Sequence, residues 1–323
     1  MKTLLLTRAE VRKLLVISEL LPVLKEAFKS YSLYRTVSAQ RARSTLPCGD
    51  QNSAMILFPG LISNIPAYSV KVHAKFPDQQ PAIKGTIHLH DLETGSLLAI
   101  MDSTYITAVR TGLSGALGTH LLARPEARVV TIVGAGAQGT LQLKSLMALR
   151  QINRVFVYDI HYSQSLRFSK QMEEELGIEI LPVKSLEEAL ITAEIIITST
   201  WAREPFIFSG MIQPGTHITT LGPDEPGKCE IDAGLIKQAL FVCDDRDLAV
   251  HMGAIGGAGL DQNHIHAELG EVISGDKVGR TSSEQITIYG AVGLAFQDLA
   301  AAWLVYQKAN ELKIGRFINF LED

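Results

Sequence analysis

Cysteine is scarce. The 323 residues hold three, Cys48, Cys229 and Cys243, an odd number without a CxxC pair, which argues against a disulfide framework and a cysteine-ligated zinc site. That usage fits a reducing, cytoplasmic setting. Basic runs are missing too: 30 Lys and Arg face 34 Asp and Glu for a net charge of −4, so the electrostatic footprint of a nucleic-acid binder is absent. Long apolar runs are lacking as well. The opening Met1–Glu10 meets charges too early to act as a signal peptide, and the most apolar late stretch, Val292–Tyr306, is broken by Gln297 and Asp298 and falls short of a bilayer span. No membrane partner is expected.

What is present describes an ordinary globular chain, with 46% hydrophobic and 20% charged residues and a length that predicts about two domains. Apolar residues at helical spacing predict an opening helix over Val11–Phe28. From Ser44 to Met101 the texture is β-like, with strands at Ala54–Phe58, Tyr68–Val72, Thr86–His90 and Leu97–Met101 separated by turns such as Pro59-Gly60 and Thr94-Gly95. A helix over Thr107–Leu122 follows, and Arg124-Pro125 breaks it. Beyond residue 123 strands and helices alternate, starting at Val129–Val133 and continuing through Val155–Tyr158, Glu179–Leu181, Ile195–Thr198, Ile218–Leu221 and Leu240–Cys243, which predicts a parallel sheet. A last helix is expected over Ile286–Leu312.

The strongest motif is Gly134-Ala135-Gly136-Ala137-Gln138-Gly139, a full GxGxxG between a strand and a helix. Gly134 permits the tight turn, Gly136 the close approach of a pyrophosphate, and Gly139 the packing of helix on strand. Phosphates would then lie at a helix N-terminus. The next strand ends in Asp159, about twenty residues on, where a carboxylate binds a ribose diol and repels a 2′-phosphate. NAD is therefore expected over NADP.

Chemistry needs groups outside this fingerprint. Arg43, Lys71 and Arg110 are the cations of interest in the first part of the chain. Arg110 lies in an apolar helical stretch, where an unpaired buried charge is costly, so something anionic should face it. A substrate carboxylate would suit a guanidinium. Lys71 sits between Val70 and Val72, and strand alternation leaves its direction open; composition alone equally allows solvated or salt-bridged roles for all three. Asp224, in the Gly222–Lys228 loop after a strand, is placed for general acid or base work or simply for a turn. His88 with His90, and His264 with His266, repeat a period-two spacing but lack a third ligand, so no metal is expected.

With these residues in hand the chain resembles the ornithine cyclodeaminase/mu-crystallin family. The resemblance is carried by Ala67–Lys71, Thr94-Gly95 through Ala99–Asp102, Ile106–Gly112, the GAGAQG loop, Gly222–Lys228 and Ala267–Gly275. It implies an α/β protein of two domains: a Rossmann dinucleotide-binding domain over 123–289, and an α+β substrate-binding and dimerisation domain formed by 1–122 with 290–323. By position Arg43, Lys71 and Arg110 match the family's carboxylate-binding cations, and Asp224 its catalytic aspartate, with Lys71 a second catalytic candidate. The implied cofactor set is Thr86, Thr111, Gly134, Gly136, Ala137, Gln138, Gly139, Asp159, Thr198, Leu221 and Gly222. A homodimer is the implied assembly.

Two positions depart from the family pattern. Ile56 stands where ornithine cyclodeaminases carry a Glu that reads a diamino substrate, and Tyr289-Gly290-Ala291 replaces a Ser-containing run at the C-terminal helix. The resemblance thus implies an NAD-dependent imine reductase or amino-acid dehydrogenase acting on a small amino or imino acid. The alternatives are an ornithine cyclodeaminase, a lyase that releases ammonia and gives proline, and a mu-crystallin-like binder without turnover, against which Asp224 speaks.

Overall fold

The computed structural model describes residues 2–34, 41–47, 53–76, 79 and 81–319; Cys48 lies outside them. In chain order the elements are β1 (Thr3–Leu6), α1 (Arg8–Leu14), α2 (Ile17–Leu33), β2 (Ala42–Thr45), β3 (Ala54–Gly60), β4 (Ala67–Lys75), β5 (Ile83–Asp91), β6 (Leu97–Asp102) and α3 (Ser103–Leu122). There follow β7 (Val129–Val133), α4 (Ala137–Met147), β8 (Arg154–Tyr158), α5 (Tyr162–Leu176), β9 (Glu179–Pro182), α6 (Leu186–Leu190), β10 (Ile195–Thr198), β11 (His217–Thr220), α7 (Ala233–Gln238) and β12 (Leu240–Cys243). The chain ends with α8 (Arg246–His251), α9 (Ala254–Gly257), β13 (Ala267–Glu268), α10 (Leu269–Ser274), β14 (Thr287–Gly290), α11 (Ala295–Leu312) and β15 (Arg316–Ile318).

Internal packing divides the chain into two compact units, Met1–Arg110 with Leu294–Asp323, and Thr111–Gly293. The first switch therefore falls inside α3 rather than after it, and the second at the start of α11. Two expected elements are revised. The single opening helix is two, because Leu15 and Val16 are extended, and Thr7 starts the first with a capping box to Glu10. The last helix begins at Ala295, not Ile286, because Thr287–Gly290 is held in the sheet by both β11 and β12. Gly293, at φ 88°, turns the chain before the helix can start.

Unit one is a seven-stranded sheet ordered β15-β1-β6-β5-β4-β3-β2, antiparallel apart from the β1–β6 pair. Helix α11 packs on β3, β4 and β5, and α2 packs on α11. The alternation of β4 is inverted. Its fully covered positions are Ala67, Ser69, Lys71, His73 and Lys75, while Val70 and Val72 on the other face stay half-exposed. A sheet that turns its polar side inward and its valines outward is not built around stability alone.

Unit two is an eight-stranded sheet ordered β13-β12-β14-β11-β10-β7-β8-β9, parallel throughout. Strands β7 and β10 are largely apolar on both faces because helices cover both, and their side chains join two clusters, one containing Val130, Ile132 and Ile197 and the other Val133 and Ile196 with Ile218 of β11, whose His217 and Thr219 are instead buried and hydrogen-bonded. The strand order reverses between β7 and β10, which makes their carboxyl ends the topological switch point where such sheets take ligands.

Candidate active site

At the switch point the GAGAQG loop behaves as its glycines predict. Gly134 has φ 101°, and a Cβ there would come 2.8 Å from the Ser199 carbonyl oxygen. A Cβ on Gly139 would overlap the Gly134 carbonyl, whereas one on Gly136 would meet nothing within 4 Å. Space is thus kept open at Gly136, the N-cap of α4, which has no side-chain cap to occupy its first amides. Asp159 accepts from the Ala135 amide at 2.9 Å and from the His161 amide at 2.9 Å, which fixes its carboxylate beside the loop with lone pairs to spare. These features fit a dinucleotide: open space beside Gly136 at a helix N-terminus, and an anchored acid beside the loop.

Glu230 is fully buried and was not singled out in the sequence. Its carboxylate accepts from Thr198 Oγ1 at 2.5 Å, Thr200 N and Oγ1 both at 2.7 Å, Thr220 Oγ1 at 2.7 Å and Gly222 N at 3.1 Å. One side chain thereby ties the segment after β10 to the segment after β11. It also explains Gly222, where a Cβ would strike the Glu230 carboxylate. The only sequence signal was an acid three residues past Gly227 beside the Asp224 loop, and such a residue reads as surface until the fold turns it inward.

Asp224 follows β11 and is about 40% exposed at its side chain. Lys228 Nζ donates to Asp224 Oδ1 at 2.6 Å, lies 3.9 Å from Glu225 Oε1 and stands 4.3 Å from the centre of the Trp201 ring. The lysine is buried and the aspartate open, so the pair offers an oriented carboxylate to solvent or ligand. Arg203 adds a 3.5 Å contact to Glu225.

In unit one, Lys71 and Arg110 converge on Asp298 of α11. Lys71 Nζ is 2.5 Å from Asp298 Oδ2 and 3.4 Å from Thr107 Oγ1, and lies 4.4 Å from the centre of the Phe58 ring. Arg110 Nε donates to Asp298 Oδ1 at 3.0 Å and its Nη1 to Gln297 Oε1 at 2.8 Å. All four side chains are buried. Burial drives the Lys71 ammonium down to about 7 against the pull of Asp298, with Arg110 and Arg41 pushing the same way as burial. Burial opposes ionisation of Asp298, yet Arg110 and Lys71 outweigh it and hold its carboxyl below the usual range. His73, on the same face of β4, is pushed to about 3 by burial and by Lys71, so it is neutral. Ser69 Oγ, His73 Nδ1 and Gln297 Nε2 are buried without a hydrogen-bond partner among the described residues.

The expected residues are thus only partly assembled. Lys71 and Arg110 meet. Arg43 is exposed on the edge strand β2, opposite Ile56, and is not among the groups on Asp298. Arg41, just before β2, is the arginine that comes against Phe58, 4.8 Å from the ring centre. Thr86 belongs to unit one, on the sheet face opposite that of Lys71, bonded to His88 Nε2 at 3.2 Å. Thr111 receives Gln142 Nε2 on its carbonyl at 2.9 Å, and the Leu221 amide donates to the Thr198 carbonyl at 3.0 Å. Ala137 and Gln138 open α4. Tyr289, expected beside the C-terminal helix, is a buried residue of β14. Among the described residues no three His, Cys, Asp or Glu side chains gather as for a metal, and no helix is long and apolar enough to cross a membrane. His266 instead contacts the Val278 carbonyl at 2.8 Å, and His264 contacts Asp261 at 3.1 Å.

Parallel sheet, glycine fingerprint and anchored acid define a Rossmann-type nucleotide fold joined to an α+β unit. The chain belongs to the ornithine cyclodeaminase/mu-crystallin family, whose model matches residues 1–313. It is similar to an alanine dehydrogenase of Archaeoglobus fulgidus, 34% identical over 329 residues that cover 99% of each chain. Among solved structures it is similar to an archaeal alanine dehydrogenase dimer with bound NAD, with a TM-score of 0.90, 33% identity and coverage of 99% of this chain and 100% of the other. The Delta(1)-pyrroline-2-carboxylate reductase of Thermococcus litoralis, in complex with NADH and L-proline, gives a TM-score of 0.90 at 32% identity, over 98% of this chain and 100% of the other.

Proposed function

We propose that the protein is an NAD-dependent oxidoreductase that interconverts an α-amino acid and the corresponding α-imino acid. The observation that carries this reading is the pair of buried cations, Lys71 and Arg110, set against one acid, Asp298. Two charges balanced by one leave a positive excess in a desolvated place, and a substrate carboxylate supplies its counterpart. Arg110 Nη2 makes no hydrogen bond to a described residue and is the group to receive it. Arg41 and Arg43, at the sheet edge, add to the attraction.

Gly134, Gly136 and Gly139, with the amides of Ala137 and Gln138, would hold the pyrophosphate of NAD, Asp159 its ribose, and Thr111, Thr198, Leu221 and Gly222 the rest. NAD supplies hydride exchange. Lys71 and Arg110 fix the substrate's carboxylate, which limits how its C–N carbon can turn. Asp224 takes up or gives the proton at the nitrogen, or at water in the hydrolytic direction, and Lys228 holds it in place. A dehydrogenase is favoured over a cyclodeaminase because Ile56 is buried with Ala54, Phe58 and Ala295, so that position offers no acid to a second ammonium.

Asp224→Asn is expected to lower kcat about 10²- to 10⁴-fold while NADH affinity stays unchanged. A loss of only a few-fold would remove Asp224 from the mechanism. NADH oxidation should be followed with pyrroline-2-carboxylate, piperideine-2-carboxylate, iminosuccinate and pyruvate with ammonium. Ornithine with NAD⁺ serves as the contrast, since a cyclodeaminase shows no net NADH.

A homodimer completes this reading. Half-exposed Leu57, Val70, Val72 and Ile100 share the sheet face away from α11, and a second copy would cover them. Val72→Glu should then yield a smaller species by light scattering.

A further inference from the structure

The carboxylate grip on Lys71 and Arg110, proposed above, leaves Asp298 unexplained. A site meant to bind an anion would gain affinity by having no acid in it. Here the acid is fully buried, contacts both cations and is bracketed by Gln297, which accepts from the same guanidinium. Its two oxygens are divided between the partners, Oδ2 to Lys71 and Oδ1 to Arg110. Such a division sets the spacing and tilt of ammonium and guanidinium together, which neither Thr107 nor Phe58 does, since of these two cations each contacts Lys71 and not Arg110.

We propose that Asp298 is a positioning residue, a built-in counter-anion that keeps Lys71 charged and aligned with Arg110 so that the pair can receive the substrate carboxylate. Without it, two like charges would be buried side by side, and the cheapest relief is for Lys71 to release its proton. The site would then keep its shape but lose half its charge. Asp298 trades some anion affinity for a lysine that is still charged near neutrality.

Among the described residues the groups found against Lys71 are Asp298, Arg110, Arg41, neutral His73, Thr107 and Phe58. Only Asp298 among them carries negative charge. Burial holds Lys71 down to about 7, with Asp298 pulling it back up. The sign is definite: above that pH the ammonium loses its proton and the carboxylate its partner.

The test measures the affinity of pyrrole-2-carboxylate, a planar carboxylate probe, by calorimetry between pH 5.5 and 9 on the full chain with NADH present. In the unaltered protein the dissociation constant should begin to rise near pH 7, by up to about tenfold per unit. In Lys71→Arg that rise should vanish, because guanidinium stays charged. In Asp298→Asn its onset should move to lower pH by about one unit or more, and Asp298→Glu should restore it. An onset in Asp298→Asn within about 0.3 units of the unaltered protein, with NADH affinity intact, overturns the inference and leaves the carboxylate grip standing. Equal affinity in Arg110→Met and the unaltered protein overturns the grip and the inference together. Should Asp298→Asn not fold, an unaltered protein whose affinity does not weaken above neutral pH overturns the inference by itself.

Discussion

Two buried acids, one in each unit, do opposite work. Asp298 accepts from an ammonium and a guanidinium, whereas Glu230 accepts from three hydroxyls and two backbone amides. Charged partners make the first acid part of an electrostatic balance that shifts with pH. Neutral partners make the second a mechanical clip that holds two strand ends in register. The lesson is that burial of a carboxylate says little until its donors are named.

Removing each acid should break the comparison in a different way. Replacing Asp298 by Leu leaves two cations without their counter-charge, and the expected loss is about 3–5 kcal/mol of unfolding free energy at pH 6. The deficit should shrink by pH 9, where Lys71 can be neutral, as denaturant titrations at the two pH values would show. The unaltered protein carries a weaker form of the same dependence. Lys71 binds its proton up to about 7 when folded and up to its ordinary value of 10.5 when not, so the unfolded chain holds more protons between those limits and stability gains with pH across them. Lys71→Met should flatten that gain.

Glu230→Gln keeps the size of the clip and swaps one acceptor for a donor. About 2 kcal/mol should be lost, equally at pH 6 and pH 9, with weaker NADH binding because Thr200 and Gly222 are released. A pH-dependent loss would erase the distinction between the two acids. Gly136→Ala sharpens it from the ligand side: the added methyl meets no atom within 4 Å, so stability should change by less than about 1 kcal/mol while NADH affinity falls about tenfold or more. Asp159→Ser should have the smallest effect, narrowing the preference for NADH over NADPH by about tenfold in fluorescence titrations.

Much of unit two could be read from residues alone, because its devices are local. GAGAQG, the strand before it and the acid after β8 lie within one βαβ stretch, and each glycine has a steric reason the chain order already states. The alternation after residue 123 also announced a parallel sheet. Unit one was harder. Lys71 lies on β4 and Asp298 on α11, 227 positions apart, and no local pattern links them. The clue was nonetheless present as Gln297 and Asp298 interrupting an otherwise apolar stretch, which served only to exclude a membrane span. Those two polar residues are the acceptors for Lys71 and Arg110.

Arg41 carries no motif signal of its own; it lies just before β2, and only the fold sets it against Phe58. The direction of Lys71 was undecidable because β4 inverts the usual rule and buries its polar face. Glu230 escaped notice since a carboxylate that clips loops has no spacing signature. The start of α11 has a tertiary cause: Ile288 and Tyr289 are held between β11 and β12, and the helix begins only at Ala295.

The arrangement of unit one in the chain bears on how a nascent polypeptide matures. Strand β1, at the very start, pairs with β15, near the very end, and Asp298 arrives only with the last helix. A ribosome delivers all of Thr111–Gly293 before β15 and Asp298, so the parallel sheet of unit two can form while Lys71 on β4 and Arg110 on α3 still lack the acid they share. A chain that stops short of residue 294 would keep the glycine fingerprint but lack the carboxylate that Lys71 and Arg110 share.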